Sequence, residues 1–154
     1  MTINPPRTSK SKILAEAVAQ SIEDLFAVET VRKLAPADEF EKIRDRQIRV
    51  WPHNRTGEIL TRALQSNEYE IAIAVIDRVP SEDDEDLLVD ELLALVESFA
   101  DNLLKRTFGP EGNQATAIRY QHAPLYDKEL LETHRLFAAG VALTLTRHEA
   151  TLAP

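Results

Sequence analysis

The fold is decided by residues 69–76, which read Tyr69-Glu-Ile-Ala-Ile-Ala-Val-Ile76. Successive side chains of a β-strand point to opposite faces, so this segment has one bulky face and one small face. The bulky face carries Tyr69, Ile71, Ile73 and Val75, and the small face carries Glu70, Ala72 and Ala74. The bulky apolar face predicts helices packed upon it. The small face suits a surface that another subunit or a narrow channel approaches closely.

Two amphipathic helices are predicted to cover the bulky face. The first starts near Ser9, and its apolar residues recur at helical spacing: Ile13, Leu14, Ala17, Val18, Ile22, Leu25 and Phe26. The second is the longest, with Ser81 as its N-cap, acidic residues in its first turn, and Lys105 and Arg106 in its last turn. Its apolar stripe consists of Leu88, Leu92, Leu95, Val96, Phe99 and Leu103.

Shorter segments complete the predicted order of elements. They are a strand over Val28–Leu34, a helical turn over Ala37–Ile43, a strand over Gln47–Trp51 stopped by Pro52, a strand over Glu58–Leu64 that turns at Ser66-Asn67, a strand over Ala115–His122, a short helix capped by Asp127, and a last strand over Leu136–Arg147. The links are hairpin-length or irregular rather than repeated βαβ crossovers. We therefore predict an α+β fold, a mostly antiparallel β-sheet with helices packed on one face. Residues 10–150 form this single domain, and residues 1–9 form a flexible N-terminal arm.

Length and composition restrict the class of protein. The chain has 154 residues, no Cys and a formal net charge of -8. A chain of this length buries enough surface to fold without disulfides or a structural metal, and the lack of Cys excludes thiol nucleophiles and Cys-based metal sites. The acidic excess argues against a protein that neutralises nucleic-acid phosphates. No apolar run approaches the ~20 residues that cross a bilayer, so we expect a soluble chain without a signal peptide.

Residues that could carry chemistry are dispersed along the chain. Gly109 and Gly112 are the two glycines that lie close together, and they predict a turn rather than a phosphate-binding loop. His122 could join Asp127 or His134 in a metal or catalytic site, but no helical spacing places two such ligands on one face. We therefore expect no catalytic residues, no cofactor and no metal.

Two charged regions are candidates for binding a partner. The acidic run Glu82-Asp83-Asp84-Glu85-Asp86 is explained by helix capping and a solvated surface, with docking of a basic partner as the alternative. Five arginines cluster around Trp51 in an otherwise acidic chain, namely Arg44, Arg46, Arg49, Arg55 and Arg62. Arg and Trp are enriched at interface hot spots. Trp51 is therefore either a contact anchor or a cap on the edge of the core, and both interpretations stay open.

Contacts with a partner are expected on the irregular segments, because these are least committed to the core. The two segments are the Pro52–Thr61 loop and the Gly109–Gln114 loop. The candidate interface residues are Trp51, His53, Arg55, Arg62, Glu111 and Asn113.

The order of motifs gives a further indication of function. In chain order the motifs are Ile48-Arg-Val-Trp-Pro52, Thr61-Arg62, the Tyr69–Val75 strand, an acidic linker into the Leu-rich helix Asp86–Leu104, Tyr126-Asp-Lys-Glu-Leu130 and the Phe137–Thr146 strand. This order resembles the tail terminator proteins of long-tailed bacteriophages, the group that includes the lambda minor tail protein U. The resemblance covers most of the chain, from about Ile13 to Arg147.

The resemblance implies a structural protein of the virion rather than an enzyme. Such a protein forms a hexameric ring on the last ring of the tail tube, stops tube growth and offers its other side to the head connector. The implied partners are further copies of this chain, the tail tube protein and a head connector or neck protein. No membrane is involved, and DNA at most passes through the ring. The chain would be assembled in the host cytoplasm and lie in the tail or neck.

Three alternatives stay open from the sequence. One is a phage neck or head-completion protein, which differs little from a terminator at this level. The second is a small intracellular enzyme with a site around His122, Asp127 and His134. The third is an adaptor module that binds one partner helix.

Overall fold

The computed structural model describes residues 2–4, 8–35, 37–79 and 85–150. The elements in chain order are α1 (Lys10–Phe26), a 3-10 helix (Ala37–Lys42), β1 (Gln47–Ile59), β2 (Leu64–Arg78), α2 (Glu85–Leu103), β3 (Thr107–Phe108), β4 (Ala115–His122), α3 (Lys128–Thr133) and β5 (Leu136–Ala150). The five strands form one antiparallel sheet in the order β1-β2-β5-β4-β3. The α+β fold expected from the sequence is therefore confirmed.

The bulky face of β2 is the centre of the core, as predicted. Its four large residues, Tyr69, Ile71, Ile73 and Val75, are completely buried. Ile73 lies opposite Val141 of β5, so the neighbouring strand continues the same apolar face. Helices α1 and α2 pack on this face and meet each other through Phe26 and Phe99, whose rings lie edge to face with centroids 4.6 Å apart. This layer of two helices is the one that the alternation of residues 69–76 requires.

The start of α1 agrees with the sequence, whereas the end of α2 does not. Ser9 is the N-cap of α1, and its hydroxyl accepts a hydrogen bond from the Lys12 amide at 3.3 Å. Helix α2 ends at Leu103, so Lys105 and Arg106 follow the helix instead of lying in its last turn. The backbone of Lys105 is left-handed, with φ of 69°, and this conformation stops a helix.

The proposed N-cap of α2, Ser81, lies outside the described residues, together with Glu82, Asp83 and Asp84 of the acidic run. Part of the predicted N-terminal arm, residues 1 and 5–7, also lies outside them.

Where it is made of alanines, the small face of the sheet is covered by the chain's own segments. Ala72 and Ala74 are completely buried and pack against Trp51 of β1 and against Leu125 and Tyr126, which precede α3. The close approach predicted for this face is real, but the approaching surface belongs to the same chain instead of a second subunit or a channel. The 3-10 helix and α3 also pack on this side, whereas the two long helices pack on the bulky face.

Gly140 of β5 shows how close this approach is. A Cβ atom at this position would lie 2.6 Å from Cδ1 of Leu125, which is shorter than van der Waals contact. The glycine therefore allows the segment before α3 to lie directly on the sheet.

Strand β1 is longer than predicted, because Pro52 does not end it. The Val50 amide donates to the Val31 carbonyl on the outer side of β1, at 2.9 Å. Main-chain groups alternate between the two sides of a strand, so the nitrogen of Pro52 also points outward. A proline on an edge strand loses no ladder hydrogen bond there. The strand continues through a bulge at His53, where the register shifts, to Ile59.

Two other expectations about strands need correction. The segment Val28–Leu34 is no strand, and its β contact is an isolated parallel bridge between Val31 and Arg49. The strand predicted over Glu58–Leu64 is also wrong, because residues 60–63 form the turn that joins β1 to β2 and Ser66-Asn67 lie inside β2. The amide of Leu60 donates to the Leu64 carbonyl at 3.0 Å and closes this turn.

Replacing Ile73 with Ala tests the packing of the bulky face. Emptying a fully buried position costs about 2 to 5 kcal/mol of the free energy of unfolding. Leu87→Ala on α2, where Leu87 is 70% exposed, is the matched control and should change stability by less than about 0.5 kcal/mol. Urea unfolding followed by circular dichroism measures both values, and equal stabilities for the two variants would contradict the assigned face.

Candidate partner-binding surface

Both long turns of the sheet lie at the same end of the molecule. Leu64 pairs with Ala150, which places the β1–β2 turn near the end of β5. Thr116 pairs with Thr146, so the turn between β3 and β4 lies at that end as well. We call this end, formed by residues 60–63 and 109–114, the turn end. The guanidinium of Arg147 donates to main-chain carbonyls of the second turn and ties it to β5.

The Gly109–Gly112 turn predicted from the sequence is confirmed. Gly109 and Gly112 have φ values of 99° and 87°, in the left-handed region that favours glycine. A Cβ on Gly109 would lie 2.2 Å from the main-chain oxygen of Asn113. No side chain fits there, so this glycine fixes the shape of the turn.

Trp51 lies at the edge of the core, where its side chain is buried and not exposed to a partner. Only 8% of the residue is exposed, and its ring packs edge to face on Tyr126 with centroids 5.7 Å apart. The neighbouring Arg49 is also buried, 4% exposed, and donates to the Lys33 carbonyl at 3.2 Å. Of the two interpretations of Trp51, the structure therefore supports the cap on the core edge, and the indole is not accessible to a partner.

The other candidate interface residues are distributed over β1 and the turn end. His53 is the exposed bulge residue of β1. Arg55 is exposed and its guanidinium lies 4.9 Å from the centroid of the Tyr69 ring, a cation–π contact. Arg62 and Glu111 are exposed in the two turns, and Asn113 is half-buried beside Glu111. The structure thus brings Arg62, Glu111 and Asn113 to one end, whereas His53 and Trp51 lie further along β1.

A charged cluster beside the turn end escaped the sequence analysis. The carboxylate of Glu149 forms ion pairs with Lys10 Nζ at 2.9 Å and with Arg147 Nε at 2.9 Å. It also accepts a hydrogen bond from the Tyr69 hydroxyl at 3.2 Å. The cluster joins the start of α1 to the end of β5. Its polar side chains continue the helix-covered face of the sheet beyond the apolar core. Its signal in the sequence was the continued alternation of Leu145, Arg147 and Glu149, which the predicted end of the strand at Arg147 cut short.

The environment of Glu149 shifts two pKa values. Partial burial opposes ionisation of Glu149, but its hydrogen bond and charge interaction with Lys10, together with Tyr69 and Arg147, outweigh burial and lower its pKa. Burial, foremost, and the charge of Glu149 raise the pKa of Tyr69, although the charge of Arg55 opposes this. Tyr69 therefore remains a hydrogen-bond donor to an ionised Glu149 at neutral pH.

The histidines considered for a metal or catalytic site are not brought together. His122 lies on the helix-covered side of β4, with Nε2 3.3 Å from the Glu97 carboxylate. Asp127 is the N-cap of α3, and its carboxylate accepts from the Glu129 amide at 2.9 Å. His134 packs against Phe40 on the other side of the sheet, with ring centroids 5.8 Å apart. Within the described ranges, no group of three or more His, Cys, Asp or Glu residues could hold a metal ion.

The end opposite the turn end carries a cavity and a crevice. A cavity of about 650 Å³ lies between α3 and the sheet, and Leu125, Leu131 and Leu136 form part of its apolar wall. Three arginines, Arg44, Arg78 and Arg135, line a crevice beside it. The carbonyls of Ile43 and His134 accept hydrogen bonds from Arg78, which fixes this arginine in place. We call this region the α3 end.

Both edges of the sheet are open over part of their length. On the outer side of β1, Val31 bonds to Ile48 and Val50 but not to residues 54–59. On the outer side of β4, Lys105 and Arg106 bond to Ala117. In the part of the chain that the structure describes, no segment covers residues 119–122 of this edge.

No family model and no curated protein matches the chain. No helix within the described ranges is long and apolar enough to span a membrane.

Replacing Glu149 with Gln tests the charged cluster. The lowered pKa of Glu149 means that the unfolded chain binds its proton more readily than the native chain does. The resulting stability is present above the unfolded pKa of about 4.5 and is lost as the pH falls through the native value. We expect Glu149→Gln to lose about 1 to 2 kcal/mol at pH 7 and to approach the wild type in stability as the pH falls below the native pKa of Glu149.

Glu132→Gln is the control. The Glu132 side chain is 65% exposed and its Oε1 lies 3.9 Å from Lys128 Nζ, so this ion pair is long and solvated. Urea unfolding at several pH values measures the difference. A constant deficit of Glu149→Gln at every pH would contradict the charge assignment.

Proposed function

We propose that this chain is a virion assembly protein of the tail terminator kind, which forms a ring at the end of a phage tail tube. The motif order carries the resemblance, and the shape of the sheet supports it. In this proposal the ring stops addition of tube protein and forms the surface that joins the head. The partners are other copies of the chain, the tail tube protein and a head connector or neck protein.

The observation that carries the proposal is the pair of open edges on one sheet. The chain's own helices and loops cover the apolar part of each face of the sheet, and we assign the contact between copies to the open edges. The open stretches lie on β1 and β4, toward opposite sides of the strand order. Contact between two different surfaces is heterologous, and it closes into a ring when the rotation between copies allows.

The two ends of the strands support two unlike rims of such a ring. The turn end presents the short turns with Arg62 and Glu111, and the α3 end presents a cavity and a crevice lined by three arginines. A terminator needs one rim that fits the tube and another that the next tube ring cannot use. We assign the turn end to the tube, because its turns are least committed to the core.

The acidic charge of the chain agrees with a ring through which DNA passes. A net charge of -8 repels the phosphate backbone instead of binding it. Phosphate contacts from Lys and Arg supply most non-specific DNA binding, and this chain has fewer basic than acidic residues.

Deleting the gene in the phage or prophage that encodes the chain tests the function directly. Electron microscopy of the particles should show abnormally long tails without heads. Tail-less heads beside tails of normal length would instead indicate a neck or head-completion protein. Intact infectious particles would contradict the whole assembly proposal.

A double substitution at the turn end tests the assigned rim. We expect Arg62→Ala with Glu111→Ala to keep the fold, because both side chains are exposed, and to reduce binding to purified tail tubes at least tenfold. The matched control is Lys128→Ala with Glu129→Ala on the exposed surface of α3. Co-sedimentation with tubes measures binding. Equal binding of both double variants and the wild type would remove the turn end from the interface.

A further inference from the structure

We infer that the open edge of β1 in one copy pairs with the open edge of β4 in the next copy, with Gly57 opposite Tyr120. The contact is an antiparallel continuation of the sheet over residues 55–58 and 119–122. This inference rests on the proposed ring function for the closure of the ring, whereas the pairing of the two edges is argued from the sheet itself.

The main-chain groups of β1 that face outward follow from its hydrogen bonds. The amide of Leu60 bonds inward to Leu64 of β2, so Glu58 also faces inward and Gly57 faces outward. The same alternation turns Arg55 outward. The Arg55 amide donates a hydrogen bond to Oδ1 of Asn54 at 2.9 Å. This bond is exposed, so a carbonyl of the partner copy can replace Asn54 as the acceptor. Gly57 therefore offers a donor and an acceptor, and Arg55 offers an acceptor.

The same reasoning applies to β4. The Ala123 amide bonds inward to the Gly140 carbonyl at 3.1 Å, so Gln121 also faces inward. Tyr120 and His122 then direct their main-chain amides and carbonyls outward. The spacing of two residues between Tyr120 and His122 equals that between Arg55 and Gly57. The outward groups of the two edges can therefore pair with each other.

The direction of the strands permits a continuous sheet. Strands β1 and β4 run antiparallel to each other, because each neighbouring pair between them is antiparallel. A copy placed beside the first without reversing its strands therefore presents β4 antiparallel to β1. Its helix-covered face then continues the helix-covered face of the first copy.

Charge complementarity selects the register. With Gly57 opposite Tyr120, Glu58 lies opposite Arg119 on the face away from the long helices. The side chain of Arg119 is 55% exposed and already binds the Glu68 carboxylate at 2.7 Å, so it can bridge both acids. On the other face, Arg55 comes to His122, whose partner Glu97 is 49% exposed and can accept from the guanidinium. A shift by two residues in either direction separates Glu58 from Arg119.

Exposed apolar residues fit the same register. Ile59 is 71% exposed at the end of β1, and Ile118 is 45% exposed at the bulge of β4. The proposed register brings them beside each other and would bury both.

Paired cysteines test the contact, because the wild-type chain has none. Thr56 and Gln121 would be directly opposite in a non-hydrogen-bonded pair, where Cα atoms lie about 4.5 Å apart, within the range of a disulfide. We expect Thr56→Cys with Gln121→Cys, oxidised with and without purified tail tubes, to give a ladder of multimers on non-reducing gels. The ladder should end at one closed species. Glu58→Cys with Arg119→Cys tests the same register independently, should the first variant fold poorly.

Two controls show whether the ladder depends on the proposed contact. Thr56→Cys with Lys128→Cys keeps one edge residue and places the second thiol on α3, where Lys128 is 86% exposed, and it should give no ladder. Within the Thr56→Cys and Gln121→Cys background, Glu58→Arg should slow crosslinking several-fold. Adding Arg119→Glu to that variant should restore the rate.

The outcomes separate the two proposals. Rings on tail tubes without a ladder from either cysteine pair would overturn the edge contact and keep the proposed function. A ladder from a protein that does not bind tubes would keep the edge contact and overturn the function. A ladder of equal yield from the α3 control would overturn the edge contact.

Discussion

The pairing of β2 with β5 is the constraint on which the rest of the structure depends. The two strands pair over their full 15 residues, from Leu64 opposite Ala150 to Arg78 opposite Leu136. One face of this pair carries large apolar side chains, and the two long helices bury them. Around Ala72, Ala74 and Gly140 the other face is made of small residues, and a closely fitting segment of the chain buries it. Towards the turn end the same face is polar, and its residues Glu68, Glu70 and Thr146 are half-buried. Both coverings come from the same chain, which leaves the edges, the ends and the polar part of this face for contact with a partner.

This division would let one small domain serve the assembly role that we propose. The core residues hold the sheet rigid, whereas β1 extends beyond the cover of Val31 and leaves main-chain groups exposed. The turns between strands collect at one end because every link between neighbouring strands on that side is short. A ring built by edge contacts would then place all turn ends on one rim and all α3 ends on the other. The proposed functions of the two rims follow from this arrangement.

The sequence was sufficient where a local pattern was strong, and it failed where tertiary contacts decided the outcome. The alternation of residues 69–76, the start of the first helix near Ser9 and the N-cap Asp127 were predicted correctly, because each depends on neighbours in the chain. The prediction that Pro52 ends a strand is wrong. A strand accepts a proline only where the proline nitrogen faces an open edge, and the sequence does not show which side of β1 is an edge. The burial of Trp51 depends on Tyr126, 75 residues away, and no periodicity reports such a contact.

The most direct measurement of the central claim is cryo-electron microscopy of purified tail tubes incubated with the protein. The account predicts a single ring of copies at one end of each tube, with the sheets of neighbouring copies joined at β1 and β4 and the turn end against the tube. A protein that remains monomeric and leaves the tube ends bare would contradict it.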